Sequence, residues 1–325
     1  MNPDEKTISD KASRVRLLDY RYNAESGGWD EAPAKSLPTK LPEPEVPYAI
    51  TWRRRYDEEN KYGYTELFIN QRELQSLLKE TCKSSPAARW DRLMSPFRGI
   101  IYDWEALNNA ANDFDDEGTS DRNIARQDLK ELLTLVKGCP DLETYFQQVD
   151  KWKAASEITF EFLWTLFPPG SMVFSNPIQK MPQAFISKDH ITKDNPERPG
   201  GSSKKEFVLT AWSYDWDGEQ FNRVATRMKI AYFEGAKAIN SLLFYPIEYH
   251  VDPNTNTCDP ENIKAILKKR GEKFRKICIS EKGSQLFDYD GHVIPVGLGI
   301  MPFGGWNDTL VCLNFVRIRN IWFKI

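Results

Sequence analysis

The clearest alternation of apolar and polar positions lies between Lys205 and His250. Its first run, EFVLTAWSYDW, stops at Asp217-Gly218, a dipeptide that supplies the positive φ angles of a hairpin turn. The pattern resumes as RVATRMKIAYF, where Val224, Thr226, Met228, Ile230 and Tyr232 alternate with Ala225, Arg227, Lys229 and Ala231. A period of two predicts one buried face and one wet face. After Glu234-Gly235, the run AKAINSLLFYPIEYH alternates so little that both of its faces are expected to be covered. Pro246 lacks an N–H and belongs at a strand edge, end or bulge. The expectation is therefore three successive strands, each folded back on the one before.

Helical periodicity dominates the middle of the chain. Asn70 and Glu73 have the spacing of a capping box, and Leu74, Leu77 and Leu78 fall on one face behind them. A helix from about Asp121 to Val136 places Ile124, Leu129, Leu132, Leu133 and Val136 inward and ends at Gly138. Asp141 heads a second helix with Leu142, Tyr145, Phe146, Val149 and Trp152 on its stripe. Thr159 heads a third, FEFLWTLF, stopped by Pro168-Pro169-Gly170. Further on, Asp259-Pro260-Glu261 is a well-formed helix start. Ile263, Ile266, Leu267, Phe274 and Ile277 mark the buried face of that helix, and Lys268, Lys269, Arg270, Lys273, Arg275 and Lys276 mark its wet face. Short extended pieces are expected at AITWRRRYD, YTELFI, FRGIIY, SMVFS, QAFIS and SQLFDYDG.

Together these elements predict an α+β fold, an antiparallel meander or partly closed barrel-like sheet packed with several helices. Residues 1–47, ending in SLPTKLPEPEVP, read as a disordered linker, 48–292 as the folded domain, and 293–325 as an atypical apolar tail. The chain has 325 residues, enough to bury a core, with 40% hydrophobic and 28% charged side chains. A net charge of −3 gives no whole-molecule attraction for nucleic acid, so such a role would need a local patch. The only candidate patch is Arg53, Arg54 and Arg55, read as a strand end paired with Asp57, Glu58 and Glu59. Five scattered cysteines read as reduced core thiols, and no apolar run approaches the length of a membrane span.

Catalytic signatures are missing. There is no Gly-Lys dipeptide for a phosphate-binding loop and no G-x-S-x-G elbow. His190, His250 and His292 have no zinc-helix spacing. Asp113, Asp115, Glu117 and Gly118 imitate half of a calcium loop, but Ile124 stands where the bidentate Glu must be. His250 and Cys258 read as a turn histidine and a buried thiol, not as a ligand pair. No cofactor, metal or nucleotide is expected on this chain.

The string ITFEFLWTLFPPGSMVF, QAF, W-x-Y-D-x-D-G, IAYFEGAKAINSLLFYPIEYH, KKRGEKF and YDG resembles the uncharacterised N-terminal domain that precedes the ATPase module in fungal AAA-family ATPases. The resemblance runs from about Ala49 to Gly291. It implies a cytoplasmic or nuclear recognition domain that selects or positions a protein client, with ATP chemistry confined to a downstream module. After about Val293 the chain departs from that pattern, as a truncated or misspliced version of such a protein, or a genuine short paralogue, would. The residues expected to meet a partner are Trp216 and Asp217 at the hairpin tip, the loop from Asp194 to Ser203, and Lys268 and Arg275 on the basic helix.

Overall fold

The computed structural model describes residues 14–34, 48–84, 89–114, 121–178, 181–195, 204–216, 219–253 and 255–279, together with the backbone of a hairpin, Phe315–Ile318 and Ile321–Lys324. Two compact units emerge, residues 1–150 and 151–325. The 48–292 segment expected as one domain is thus divided near Asp150.

In the first unit, β1 (Val15–Asn23) and β2 (Gly28–Pro33) form a hairpin, followed by β3 (Ile50–Tyr56), β4 (Tyr62–Ile69), α1 (Arg72–Thr81) and β5 (Arg92–Met94). Three more helices come next, α2 (Arg98–Tyr102), α3 (Trp104–Asn112) and α4 (Asp121–Lys137), and α5 (Glu143–Ala155) begins before the division. The sheet runs β2-β1-β3-β4-β5, and its β1–β3 pair is parallel. Two expectations fail here. Part of the expected 1–47 linker is structured, because Val15, Leu17 and Leu18 supply the apolar positions of a strand that the proline-rich neighbouring sequence hides. FRGIIY was read as extended, but after Arg92–Met94 it turns into α2, burying Ile100 and Ile101.

One face of this sheet carries the core. Trp52 lies 5.2 Å from Phe97, and α1 buries Leu74, Leu77 and Leu78 as its periodicity predicts. Each such leucine contributes about 2 kcal/mol by leaving water. The capping box does not form. Gln71 occupies the cap position without a side-chain hydrogen bond, because the Asn70 amide is drawn to Tyr48 O and Thr51 Oγ1 at 3.2 Å each. Helix α4 buries Leu129, Leu132, Leu133 and Val136, and its own buried Asp128 holds Arg14 at 3.0 Å.

The second unit contains β6 (Glu157–Thr159), β7 (Met172–Ile178), β8 (Met181–Asn195), β9 (Lys204–Trp216), β10 (Phe221–Ala231), β11 (Ala236–Ala238), β12 (Phe244–Pro246) and α6 (Pro260–Cys278). Its main sheet is open, in the order β10-β9-β8-β7-β12. The long β9–β10 hairpin matches the expected first two runs, with Thr226, Met228 and Ile230 buried while Val224 and Tyr232 are exposed. The third run is not the next strand of a meander. AKAINSLLFYPIEYH breaks into β11, which pairs β6, a 3-10 turn, and β12, which crosses to the far edge of the sheet beside β7. The reason is local: Glu234-Gly235, with Gly235 at φ +73°, turns the chain out of the ladder. Burial of Phe244, Tyr245, Pro246 and Ile247 was nonetheless legible, and Pro246 ends its strand. FEFLWTLF is a 3-10 helix and not an α-helix; it buries Phe160, Leu163 and Trp164. The hairpin turn Asp217-Gly218, the segment SQLFDYDG and the side chains of the apolar tail lie outside the described residues.

Candidate interaction surfaces

In the second unit, α6 starts where the sequence places it. The Asp259 side chain accepts the Asn262 N–H at 3.0 Å, and Pro260 takes the first turn. Its amphipathicity is weaker than expected. Ile263 is buried, but Ile266 is 52% exposed, and Arg270, assigned to the wet face, is half-buried and donates from Nη2 to Pro182 O at 2.5 Å. Burial lowers the Arg270 pKa. Arginine replaces an apolar residue on the packed side because its stem fills space while its fork caps a free carbonyl.

The hairpin end and the helix meet through aromatic rings. Trp216 packs on Phe221 at 4.9 Å, and Phe221 meets Phe274 of α6 edge-on at 5.7 Å. Two of the expected partner-binding sites, Trp216 and the Arg275 region of α6, therefore share one neighbourhood. Lys268 and Arg275 are exposed, as are Lys269, Lys273 and Lys276, and none of the five has an ion partner among the described residues. Asp217 and residues 196–203 lie outside the described residues; Asp194 belongs to β8. At the neighbouring position of β9, burial pushes the Asp215 carboxyl up to about 6, against the hydrogen bond it accepts from Trp216 N–H at 2.8 Å. Burial also raises the Cys278 thiol to about 11, with the nearby Asp215 charge adding to it.

His250 is structural. Its ring lies 4.3 Å from that of Phe174, Tyr245 Oη sits 3.2 Å from Nδ1, and its carbonyl accepts the Asp259 N–H at 3.1 Å. Burial lowers its pKa although Asp252 and Asp259 oppose the shift. Cys258, expected to be buried, is exposed, and its thiol contacts Glu248 O. No His, Cys, Asp or Glu cluster suited to a metal occurs among the described residues.

Sequence reasoning missed the most structured polar surface, which lies in the first unit. Strand register puts Tyr20, Arg53, Arg55, Glu66 and Arg92 on the sheet face opposite Trp52, since Tyr20 pairs Arg55, Arg53 pairs Glu66 and Arg92 pairs Phe68. The Glu66 side chain, 1% exposed, accepts from Arg55 Nε at 2.7 Å, Arg92 Nη2 at 2.6 Å and Arg53 Nη1 at 3.3 Å. Its burial opposes ionisation, but the bonds from Arg55 and Arg92 outweigh that and hold its pKa below the usual carboxylate range. Arg55 lies over the Tyr20 ring at 3.9 Å and Arg53 over Phe68 at 4.9 Å. Trp29, 40% exposed, stacks on Tyr20 at 5.6 Å. Arg54 faces the other way and binds Asp19 at 2.8 Å. The arginines therefore pair with Glu31, Glu66 and Asp19 across the sheet, and not with Asp57, Glu58 and Glu59 beside them in sequence. Reading 15–33 as strands would have shown the signal, because Leu18, Tyr20 and Tyr22 alternate in step with Arg53 and Arg55.

Residues 148–251 match a family described as Domain of unknown function (DUF7025). The match covers the main sheet of the second unit and stops before α6. No curated protein and no solved structure matches the chain.

Proposed function

We propose that this chain is a non-catalytic recognition domain that holds an acidic segment of a protein partner against α6 and the adjoining end of the β9–β10 hairpin. The observation that carries the reading is the row of five exposed cations from Lys268 to Lys276, without ion partners among the described residues, beside the Trp216–Phe221–Phe274 cluster. They span about 12 Å of helix. Cations left without internal partners serve encounter and orientation, and the rings offer apolar contact at short range. The resemblance to the region upstream of the ATPase module in fungal AAA-family proteins agrees with this. In that setting the domain presents clients in the cytoplasm or nucleus, while ATP is bound and hydrolysed elsewhere.

A fluorescent octaglutamate peptide titrated into the full chain at low ionic strength tests the proposal. Replacing Lys268, Lys269, Lys273, Arg275 and Lys276 with Gln is expected to weaken binding at least ~10-fold, since exposed charges contribute about 0.3–1 kcal/mol each. An affinity untouched by the five changes sinks it.

A further inference from the structure

We propose that the open face of the first unit's sheet is a second, separate binding surface, which takes an acidic peptide of a protein partner in extended conformation. Its composition is that of an interaction hot spot. Trp29, Tyr64 and Met94 are 40%, 36% and 51% exposed there, and arginines stand between them. Tryptophan, tyrosine, methionine and arginine are the residues enriched at protein interfaces.

The arginines are held ready. Among the described residues, Glu66 accepts a single nitrogen from each of Arg53, Arg55 and Arg92, while a guanidinium offers five N–H donors in a fixed fork. Arg53 Nε is itself buried, 2.7 Å from Glu31, so the donors that remain for a ligand are the other N–H groups of the three forks. The face therefore keeps donors in excess of acceptors, and three cations stand there against Glu31 and Glu66. Glu66 is buried too deeply for a ligand to displace it, so it fixes the guanidinium positions before anything binds. Preorganisation of this kind lowers the cost of association.

Spacing selects an extended ligand. Arg53 and Arg55 are alternate residues of β3, about 6.8 Å apart, the same interval at which an extended peptide presents side chains on one side. Carboxylates at alternate positions would meet both forks. A nucleic acid strand fits less well: residues 1–150 hold 21 basic and 28 acidic side chains, a field that repels a polyanion while a short patch attracts local carboxylates.

The experiment uses the full chain with the five α6 cations already changed to Gln, so that only the sheet face is read. Fluorescein-labelled EYEYEYEY is the probe, with octaglutamate and an eight-nucleotide uridine oligomer as comparisons. Binding of the first is expected, with Arg92→Ala and Trp29→Ala each weakening it at least ~5-fold. Trp29 is 40% exposed and the Arg92 side chain 56%, and a Tm within about 2 °C of the parent confirms that the fold survives. Two outcomes overturn the proposal: no binding of EYEYEYEY on this background, or tighter binding of the uridine oligomer. Failure here leaves the α6 reading standing, because that reading is decided by the difference the five Gln changes make to octaglutamate binding.

Discussion

At the scale of single residues, burial and partnership decide which charges matter. Asp215, half-buried in β9, has its pKa raised by burial from 3.8 to about 6. A carboxyl whose pKa rises on folding favours the native state only while protonated. Its stabilising effect is present below pH 3.8 and is lost as pH climbs to about 6. Asp215→Asn is therefore expected to raise stability at pH 7.5 by about 1 kcal/mol after discounting for solvent screening. Little change is expected at pH 4, and denaturant melts at the two pH values check the difference. Glu66 is the opposite case, since its pKa is lowered and its ion pairs stabilise the fold above the ordinary carboxylate range. Glu66→Gln should cost about 2 kcal/mol, because it leaves three arginines facing a neutral group. Thermal unfolding measured at neutral pH reads that loss, and an unchanged Tm would show that the network is dispensable.

At the scale of elements, α6 joins a strong start to a weak middle. Asp259 satisfies a free N–H of the first turn, so Asp259→Ala is expected to destabilise the helix by about 1 kcal/mol. Gly271 lies inside the helix with open space where a Cβ would stand. Gly271→Ala should therefore stabilise α6 by about 0.8 kcal/mol. Hydrogen exchange of the α6 amides reports both, slower for the alanine at 271 and faster for the one at 259. Much of this element was legible in its sequence, including its start and its exposed cations. Its buried face was legible in part: Ile263, Leu267, Phe274 and Ile277 are buried or half-buried as the spacing predicts, but Ile266 is 52% exposed and Arg270 takes a place on the packed side.

At the scale of the whole molecule, a net charge of −3 conceals a division. Residues 1–150 are acidic on balance, whereas residues 151–325 hold 23 basic and 19 acidic side chains. A polyanionic partner is thus steered to the second unit, and its affinity is expected to fall steeply between 50 and 200 mM salt, as about one Debye length shrinks toward the spacing of the α6 cations. Binding that ignores salt would argue for apolar contact alone.

The sequence by itself determined the elements whose periodicity is long and uninterrupted: α1, α4, the β9–β10 hairpin and the start of α6, together with the α+β class. Local spacing suffices for these because each carries a sustained apolar period over several turns or residue pairs. Only the tertiary structure decided where the short pieces went. The run around Phe244 reads as one strand, yet a 3-10 turn at Ile239–Ser241 divides it between β11 beside β6 and β12 beside β7. In the same way, three consecutive arginines look like a solvated cluster until pairing places Glu66 opposite Arg53 and Asp19 opposite Arg54. Ion pairs across a sheet depend on register between distant segments, and register is set by the joint burial of all its strands, not by the residues within any one of them.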